Sequence, residues 1–122
     1  MNVVTNTNTV LPGVSALSFQ DTSGLMPLFN RDPRRWTYLI SNHAVIGSMS
    51  APLIQLPKPD TATLQEWLEK LICSGNVHTI VVDNGKFSAL FKQQLEFLCR
   101  RFDVVIVDIQ HRPREVARLR PA

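Results

Sequence analysis

Two predicted strands of this 122-residue chain each end in a run of apolar residues followed by an aspartate. Asp83 follows the run at 80–82, and Asp108 follows the run at 104–107. A strand-end aspartate can hold the magnesium ion of a bound nucleotide. The chain has no G-x-x-x-x-G-K-[ST] phosphate-binding motif, and its Lys86 follows only a single glycine. We therefore favour a structural interpretation, in which both aspartates are solvated strand ends or helix caps.

Other residue types that could catalyse a reaction are scattered along the chain. His43, His78 and His111 have no metal-ligand spacing with cysteines or carboxylates. Cys73 and His78 flank a predicted helix-to-strand turn, so we do not expect them to pair as a nucleophile and base. No G-x-S-x-G motif is present, and the first strong strand ends without the acidic pair of a phosphoacceptor site. The sequence thus predicts a binding protein without enzyme activity, metal or cofactor.

Arginine and aromatic side chains are concentrated in one short segment. The formal net charge is only +3, but Arg31, Arg34 and Arg35 lie directly before Trp36, with Tyr38 nearby. These residue types are common among interface hot spots. The alternative is that both aromatic rings are core residues and the arginines are merely solvated.

A second arginine cluster lies near the end of the chain, where four arginines fall within 112–120. Such a segment can contact the phosphates of a nucleic acid. A disordered basic terminus is the more common interpretation, and we favour it.

Apolar runs and helical periodicities define the elements that must position these residues. Strands are predicted at 36–40, 53–56, 78–83 and 103–109. A helix starts at Asp60 or Thr61, or at the capping-box pattern Thr63–Glu66, and a second helix covers about 87–101. Helices that alternate with continuously apolar strands predict an α/β fold with three layers, a mostly parallel sheet of about four strands and flanking helices.

Each predicted helix has an apolar face. The face of the first helix consists of Leu64, Trp67, Leu68, Leu71 and Ile72, and Gly75 is placed to terminate this helix. The predicted inward residues of the second helix are Phe87, Leu90, Phe91, Leu95 and Leu98.

Composition divides the chain into three parts. We predict a flexible leader over 1–24, one α/β domain over 25–110 and a basic tail over 111–122. Cys73 and Cys99 have apolar neighbours and are predicted to be buried, reduced thiols, which favours a cytoplasmic protein. No apolar run approaches the length needed to span a bilayer, and no secretory signal is visible, so we expect no membrane association.

Three motifs occur in an order that is typical of a known family. The first is the Arg35-Trp36 strand, and the second is Ala51-Pro52-Leu53 at the entry to the next strand. The third is a helix that is led by Asp60-Thr61 and ends in Ser74-Gly75-Asn76 before an apolar strand. Over roughly residues 25 to 109, this pattern resembles the SulA family of bacterial cell division inhibitors.

The resemblance implies a RecA-like fold without a working phosphate-binding loop. It also implies that the protein binds the tubulin-like division protein FtsZ and blocks its polymerisation during the SOS response to DNA damage. Members of the family can form homodimers and are degraded by Lon protease. The alternative is a non-catalytic RecA-like module that binds nucleic acid or a DNA-repair partner through the basic tail.

Partner-binding residues follow from matching the motifs position by position. Arg35 and Ile40 match strand positions that matter for inhibition in the family, and Trp36 matches the aromatic neighbour. The loop over 41–50 lacks the family's tryptophan and has Val45, Ile46 and Met49 instead. The predicted contact surface therefore comprises Arg34, Arg35, Trp36, Ile40, Val45, Ile46 and Met49.

Overall fold

Five strands and three helices make up the part of the chain that the computed structural model describes, which is residues 11–18, 25–42 and 53–110. The strands are β1 (Gly13–Ser18), β2 (Trp36–Ile40), β3 (Leu53–Leu56), β4 (Val77–Asp83) and β5 (Val105–Gln110). The helices are α1 (Met26–Phe29), α2 (Thr61–Cys73) and α3 (Ala89–Phe102). Within these ranges, no helix is both long enough and apolar enough to cross a lipid bilayer.

All five strands belong to one parallel sheet with the order β1-β5-β4-β2-β3. The central strand β4 is buried along its whole length, as expected for a parallel strand that is covered on both faces. Because the strands are parallel, their first residues share one edge of the sheet and their last residues share the other. Trp36 and Val77 therefore lie side by side at the N-terminal edge.

Helices cover both faces of the sheet, which gives three layers. On one face, α2 and α3 pack on alternate strand residues such as Ile80 and Ile106. On the other face, Leu28 and Phe29 of α1 pack against a second set that includes Val81. The predicted three-layer α/β architecture is confirmed.

Local signals explain where the two long helices begin and end. The side chain of Asp60 accepts a hydrogen bond from the backbone N–H of Thr63 at 2.8 Å, so Asp60 caps α2. Ser88 caps α3 by accepting from the N–H of Phe91 at 3.1 Å. Gly75 has a φ of +79° just beyond the end of α2, which matches its predicted terminating role.

Strand β1 lies inside the segment predicted as a flexible leader. Gly13–Ser18 is rich in small residues and has no strong apolar alternation, so the local sequence gives little strand signal. The strand forms by pairing with β5 over six residue pairs, from Gly13 with Val105 to Ser18 with Gln110. The sheet therefore has five strands rather than about four, and residues 13–18 belong to the fold.

The two cysteines differ in environment. Cys99 is buried in the core, and burial raises the pKa of its thiol to about 12, with a further contribution from the Glu96 carboxylate. The prediction that Cys73 is buried is wrong, because this residue is exposed. It follows Ile72, which is the last inward residue of α2, and one residue further along a helix lies about 100° around the axis.

Candidate functional site

The turn that leads into β2 is organised around the carboxylate of Asp32. One carboxylate oxygen accepts the backbone N–H of Arg34 at 3.0 Å and its Nε at 3.4 Å, and the other accepts Nε of Arg35 at 2.7 Å. The bond from the Arg34 backbone, followed by that from the Arg35 side chain, lowers the pKa of Asp32 to about 2. Asp32 is thus ionised at neutral pH and holds the turn in one conformation.

Arg35 is part of the internal structure rather than an open contact residue. Its Nη1 donates to the carbonyl oxygens of Val77 at 3.2 Å and Phe102 at 3.3 Å, and its Nη2 donates to Asp103 at 3.0 Å. The side chain is only 17% exposed. A guanidinium with this many acceptors has little capacity left for a partner protein.

Arg31 completes a four-residue network at the same edge of the sheet. Its Nη2 contacts the second oxygen of Asp103 at 2.8 Å, and its Nη1 donates to the carbonyl oxygen of His78 at 2.7 Å. Asp103 has a left-handed conformation, with a φ of 57°, at the C-terminal end of α3. We call Arg31, Asp32, Arg35 and Asp103 the arginine clamp, because they link the turn before β2, the start of β4 and the end of α3.

The prediction of the last strand as 103–109 is corrected at both ends, because β5 spans Val105–Gln110. Asp103 terminates α3, and β5 starts at Val105. Placing Asp103 at the helix end directs its carboxylate to two arginines. Apolar periodicity contains no signal for this arrangement, because the contacts join residues about 70 positions apart in sequence.

A fully buried histidine lies beneath the arginine clamp. Both ring nitrogens of His78 have hydroxyl partners, Nε2 with Thr37 at 3.1 Å and Nδ1 with Thr79 at 2.8 Å. Burial is the main cause that lowers the pKa of His78 to about 4, and Arg31 and Arg35 add to it. The imidazole is therefore neutral at physiological pH and serves as a structural hydrogen-bonding group.

Two neighbours of the arginine clamp face solvent. The side chain of Arg34 is 88% exposed, and Trp36 is 43% exposed. Tyr38, two residues further along β2, is partly buried and packs on the core. The interpretation of both aromatic rings as core residues thus fails for Trp36. We call Arg34 and Trp36 the Arg34–Trp36 patch.

The remaining predicted contact residues do not extend this surface. Ile40 is fully buried and packs with the core residues under α2 and α3, so its side chain is not available to a partner. Ile40 is the last residue of β2, whereas Trp36 is the first, so the two residues lie at opposite ends of this strand. Val45, Ile46 and Met49 lie outside the described residues, and their role remains a prediction.

At the opposite edge of the sheet, the two strand-end aspartates bind their own chain. Asp83 accepts from the hydroxyl of Ser41 at 3.1 Å, and Asp108 accepts from the backbone N–H of Gly85 at 2.7 Å. Both are buried, so the expectation of solvated strand ends is corrected to one of internal hydrogen bonding. Among the described residues, no three histidine, cysteine or acidic side chains come together as a metal site.

Helix α3 exposes an apolar surface that sequence reasoning missed. Leu90, predicted to point inward, is 67% exposed, and Phe97 is 64% exposed. They lie seven residues apart on one side of α3 and line a shallow groove with Glu69 of α2. The other predicted inward residues do pack on the core: Phe91 and Leu95 are buried, and Phe87 and Leu98 are partly buried against them. Cys99 is also buried, so the predicted face is correct except at Leu90.

Comparison with known proteins bears on the fold. No protein-family model matches the sequence, and no curated protein matches it significantly. Among solved structures, SulA from Pseudomonas aeruginosa superposes with a TM-score of 0.64 at 19% sequence identity. The match covers 81% of this chain and 98% of that protein. The chain therefore shares its fold with SulA.

Proposed function

We propose that this protein is a cell division inhibitor that binds FtsZ and blocks its polymerisation during the SOS response. The observation that carries the proposal is the fold shared with SulA over most of both chains. The motifs around Arg35-Trp36 and Ser74-Gly75-Asn76 support it independently, because they are features of the sequence rather than of the fold.

The Arg34–Trp36 patch is the surface that we assign to FtsZ. Arg31 and Arg35 neutralise Asp32 and Asp103 within the arginine clamp, so Arg34 contributes the unbalanced positive charge of this region. An exposed guanidinium beside an exposed indole suits a partner surface that combines a carboxylate with apolar area. Binding of this kind blocks an assembly surface and requires no chemical step.

Sedimentation of FtsZ polymers tests the proposal. With GTP present, we expect the wild-type protein to reduce the pelleted FtsZ at equimolar ratio, and Trp36→Ala to inhibit much less. Phe97→Ala is the matched control, because it also removes an exposed aromatic ring, but from another surface. If wild-type protein in excess leaves the polymers unchanged, the proposed function is wrong. Equal loss in both variants would instead reject the assignment of the patch.

Deleting residues 112–122 separates this proposal from nucleic-acid binding. An FtsZ inhibitor that uses the Arg34–Trp36 patch should keep its activity without the basic tail. A module that binds nucleic acid through the tail should lose affinity, with a shallower dependence of binding on salt. Homodimer formation and degradation by Lon protease belong to the same proposal and are measurable on the 122-residue chain.

A further inference from the structure

We propose that Asp103, at the C-terminal end of α3, is a positioning residue for the Arg34–Trp36 patch and acts through Arg31 and Arg35. This inference rests on the proposed function. It assigns part of the binding site to a residue 67 positions beyond Trp36 in the sequence, which no motif connects with the patch.

The patch is held by a chain of contacts that ends at Asp103. Both the backbone and the side chain of Arg34 are bonded to Asp32. Asp32 is bonded to Arg35, which in turn reaches Asp103. Each step is a charge-assisted hydrogen bond between groups that are partly buried or at the surface. The conformation of Arg34 thus depends on the far end of this chain, and Trp36 directly follows Arg35, which is a member of it.

Asp103 itself is rigidly placed. Its backbone N–H donates to the carbonyl of Cys99, which closes the last turn of α3, and the next residue, Val104, donates to the same carbonyl at 2.9 Å. Its two carboxylate oxygens bind different arginines, one each. The end of α3 therefore provides a fixed anchor for both guanidinium groups.

Positioning lowers the cost of binding. If the turn before β2 were loose in the free protein, the partner would have to order Arg34 and Trp36 when the complex forms. Each long side chain that is ordered on binding weakens affinity severalfold, mainly by faster dissociation. The arginine clamp removes this cost before the partner arrives.

Asp103→Asn is the appropriate variant. Asparagine tolerates the left-handed backbone nearly as well as aspartate and has the same shape, so α3 should still end at residue 103. The substitution removes the charge that attracts Arg31 and Arg35, and it replaces one acceptor oxygen with an amide donor, so one of the two guanidinium groups loses its bond. Glu69→Gln is the matched control, because it makes the same change of net charge at an exposed position on α2.

Electrostatics and positioning predict opposite results for this variant. Removing a negative charge beside the patch should strengthen binding to an acidic partner if only net charge matters. Loss of positioning should weaken it. We expect Asp103→Asn to bind FtsZ about tenfold more weakly than the wild type, whereas Glu69→Gln binds equally well or slightly better.

Hydrogen exchange gives a readout that does not depend on FtsZ. We expect faster exchange of the amides at residues 34–36 in Asp103→Asn, while the amides of β4 stay protected. A second test is the double variant Asp103→Asn with Trp36→Ala, whose loss of affinity should be smaller than the sum of the two single losses, because both variants affect the same patch. Additive losses, or unchanged exchange and unchanged affinity, would overturn the inference. Faster local exchange in a protein that does not bind FtsZ at all would retain the positioning role and reject the proposed function.

Discussion

Adjacent arginines in the turn before β2 have different surroundings. Arg34 projects into solvent and is bonded to Asp32, whereas Arg35 reaches two backbone carbonyls and two carboxylates. A residue type alone does not distinguish these environments. The difference arises because Arg35 is directed over the start of β4, where the end of α3 also lies.

Substitution of each arginine should show this difference in stability. Arg35→Ala is expected to lower the free energy of unfolding by about 2 kcal/mol, because two carboxylates and two carbonyls lose a partner. Arg34→Ala should change it by less than about 0.5 kcal/mol, since the side chain is solvated. Urea denaturation of both variants measures the difference. Equal effects would show that the contacts of Arg35 contribute no net stability.

The buried histidine makes stability depend on pH in a defined range. The pKa of His78 is about 4 in the folded protein and 6.5 without the protein environment, so the unfolded chain binds the proton first. The contribution of His78 to stability should therefore be constant above about pH 7 and fall by about 3 kcal/mol as the pH decreases from about 6.5 to 4. Arg31, Arg35, Asp32 and Asp103 are the charged groups that surround it.

Denaturant unfolding at several pH values tests this dependence. The variant His78→Gln should show a flatter curve over the same range, and the other histidines, which both proteins retain, cancel in the difference. An NMR titration of the folded protein should find the His78 ring neutral at pH 5. A protonated ring at that pH would contradict the prediction.

At the scale of elements, the edge strand β1 pairs with β5 and also contacts α3. The carboxylate of Glu96 accepts the backbone N–H of Val14 at 3.2 Å, and Gly13 has a φ of +142° directly before it. A Cβ atom at Gly13 would come within 2.4 Å of that carboxylate. The backbone conformation therefore requires glycine here, and a side chain would also displace the flexible end of Glu96 from Val14.

Two glycine substitutions compare these requirements. Gly13→Ala should destabilise the protein by about 2 kcal/mol, because the backbone is strained and Glu96 must release Val14. Gly75→Ala should cost about 1 kcal/mol, since its φ is also positive but no atom lies within 4 Å of the new Cβ. Thermal unfolding ranks the two variants. A larger effect at Gly75 would mean that β1 is not essential to the stability of the sheet.

Sequence reasoning succeeded where the local pattern determines structure. The predicted bounds of β2 and β3 match the structure, and α2 and β4 differ only slightly from it, because these elements have strong apolar patterns and clear caps. Strand β1 was not predictable, because it depends on pairing with β5, about 90 residues away. The predicted inward face of α3 was correct except at Leu90, because Leu90 and Phe97 form a second, exposed apolar stripe beside the buried one.

The candidate site was only partly predictable, for a similar reason. Arginine and tryptophan before β2 indicated a binding surface, and the structure leaves Arg34 and Trp36 exposed there. The parts that hold this surface in place, Arg31 and Asp103, are brought together only by the parallel sheet and the end of α3. The spacing of residues along the sequence does not predict a contact between Arg31 and Asp103, which are 72 positions apart.

At the scale of the whole molecule, the two edges of the sheet differ. At the C-terminal edge, where ligands often bind in α/β proteins, Asp108 is bonded to Gly85 and the Nζ of Lys58 is bonded to the carbonyl of Asn84. Within the described residues, these contacts join the loops to one another. At the N-terminal edge, the arginine clamp supports an exposed charged and aromatic patch. We therefore assign the proposed partner to the N-terminal edge.

A protein that inhibits by occupying a surface must act stoichiometrically. In a titration at fixed FtsZ concentration, we expect the amount of pelleted polymer to fall linearly with added protein. It should reach its minimum near a ratio of about one to one, because each molecule occupies one subunit at concentrations well above the Kd.

The extent of inhibition should not increase with incubation time once binding is complete. Trp36→Ala provides the reference for a weak binder, whose titration should become curved. Inhibition at ratios far below one that grows with time would instead indicate a catalytic activity of the chain and would contradict a purely occlusive mechanism.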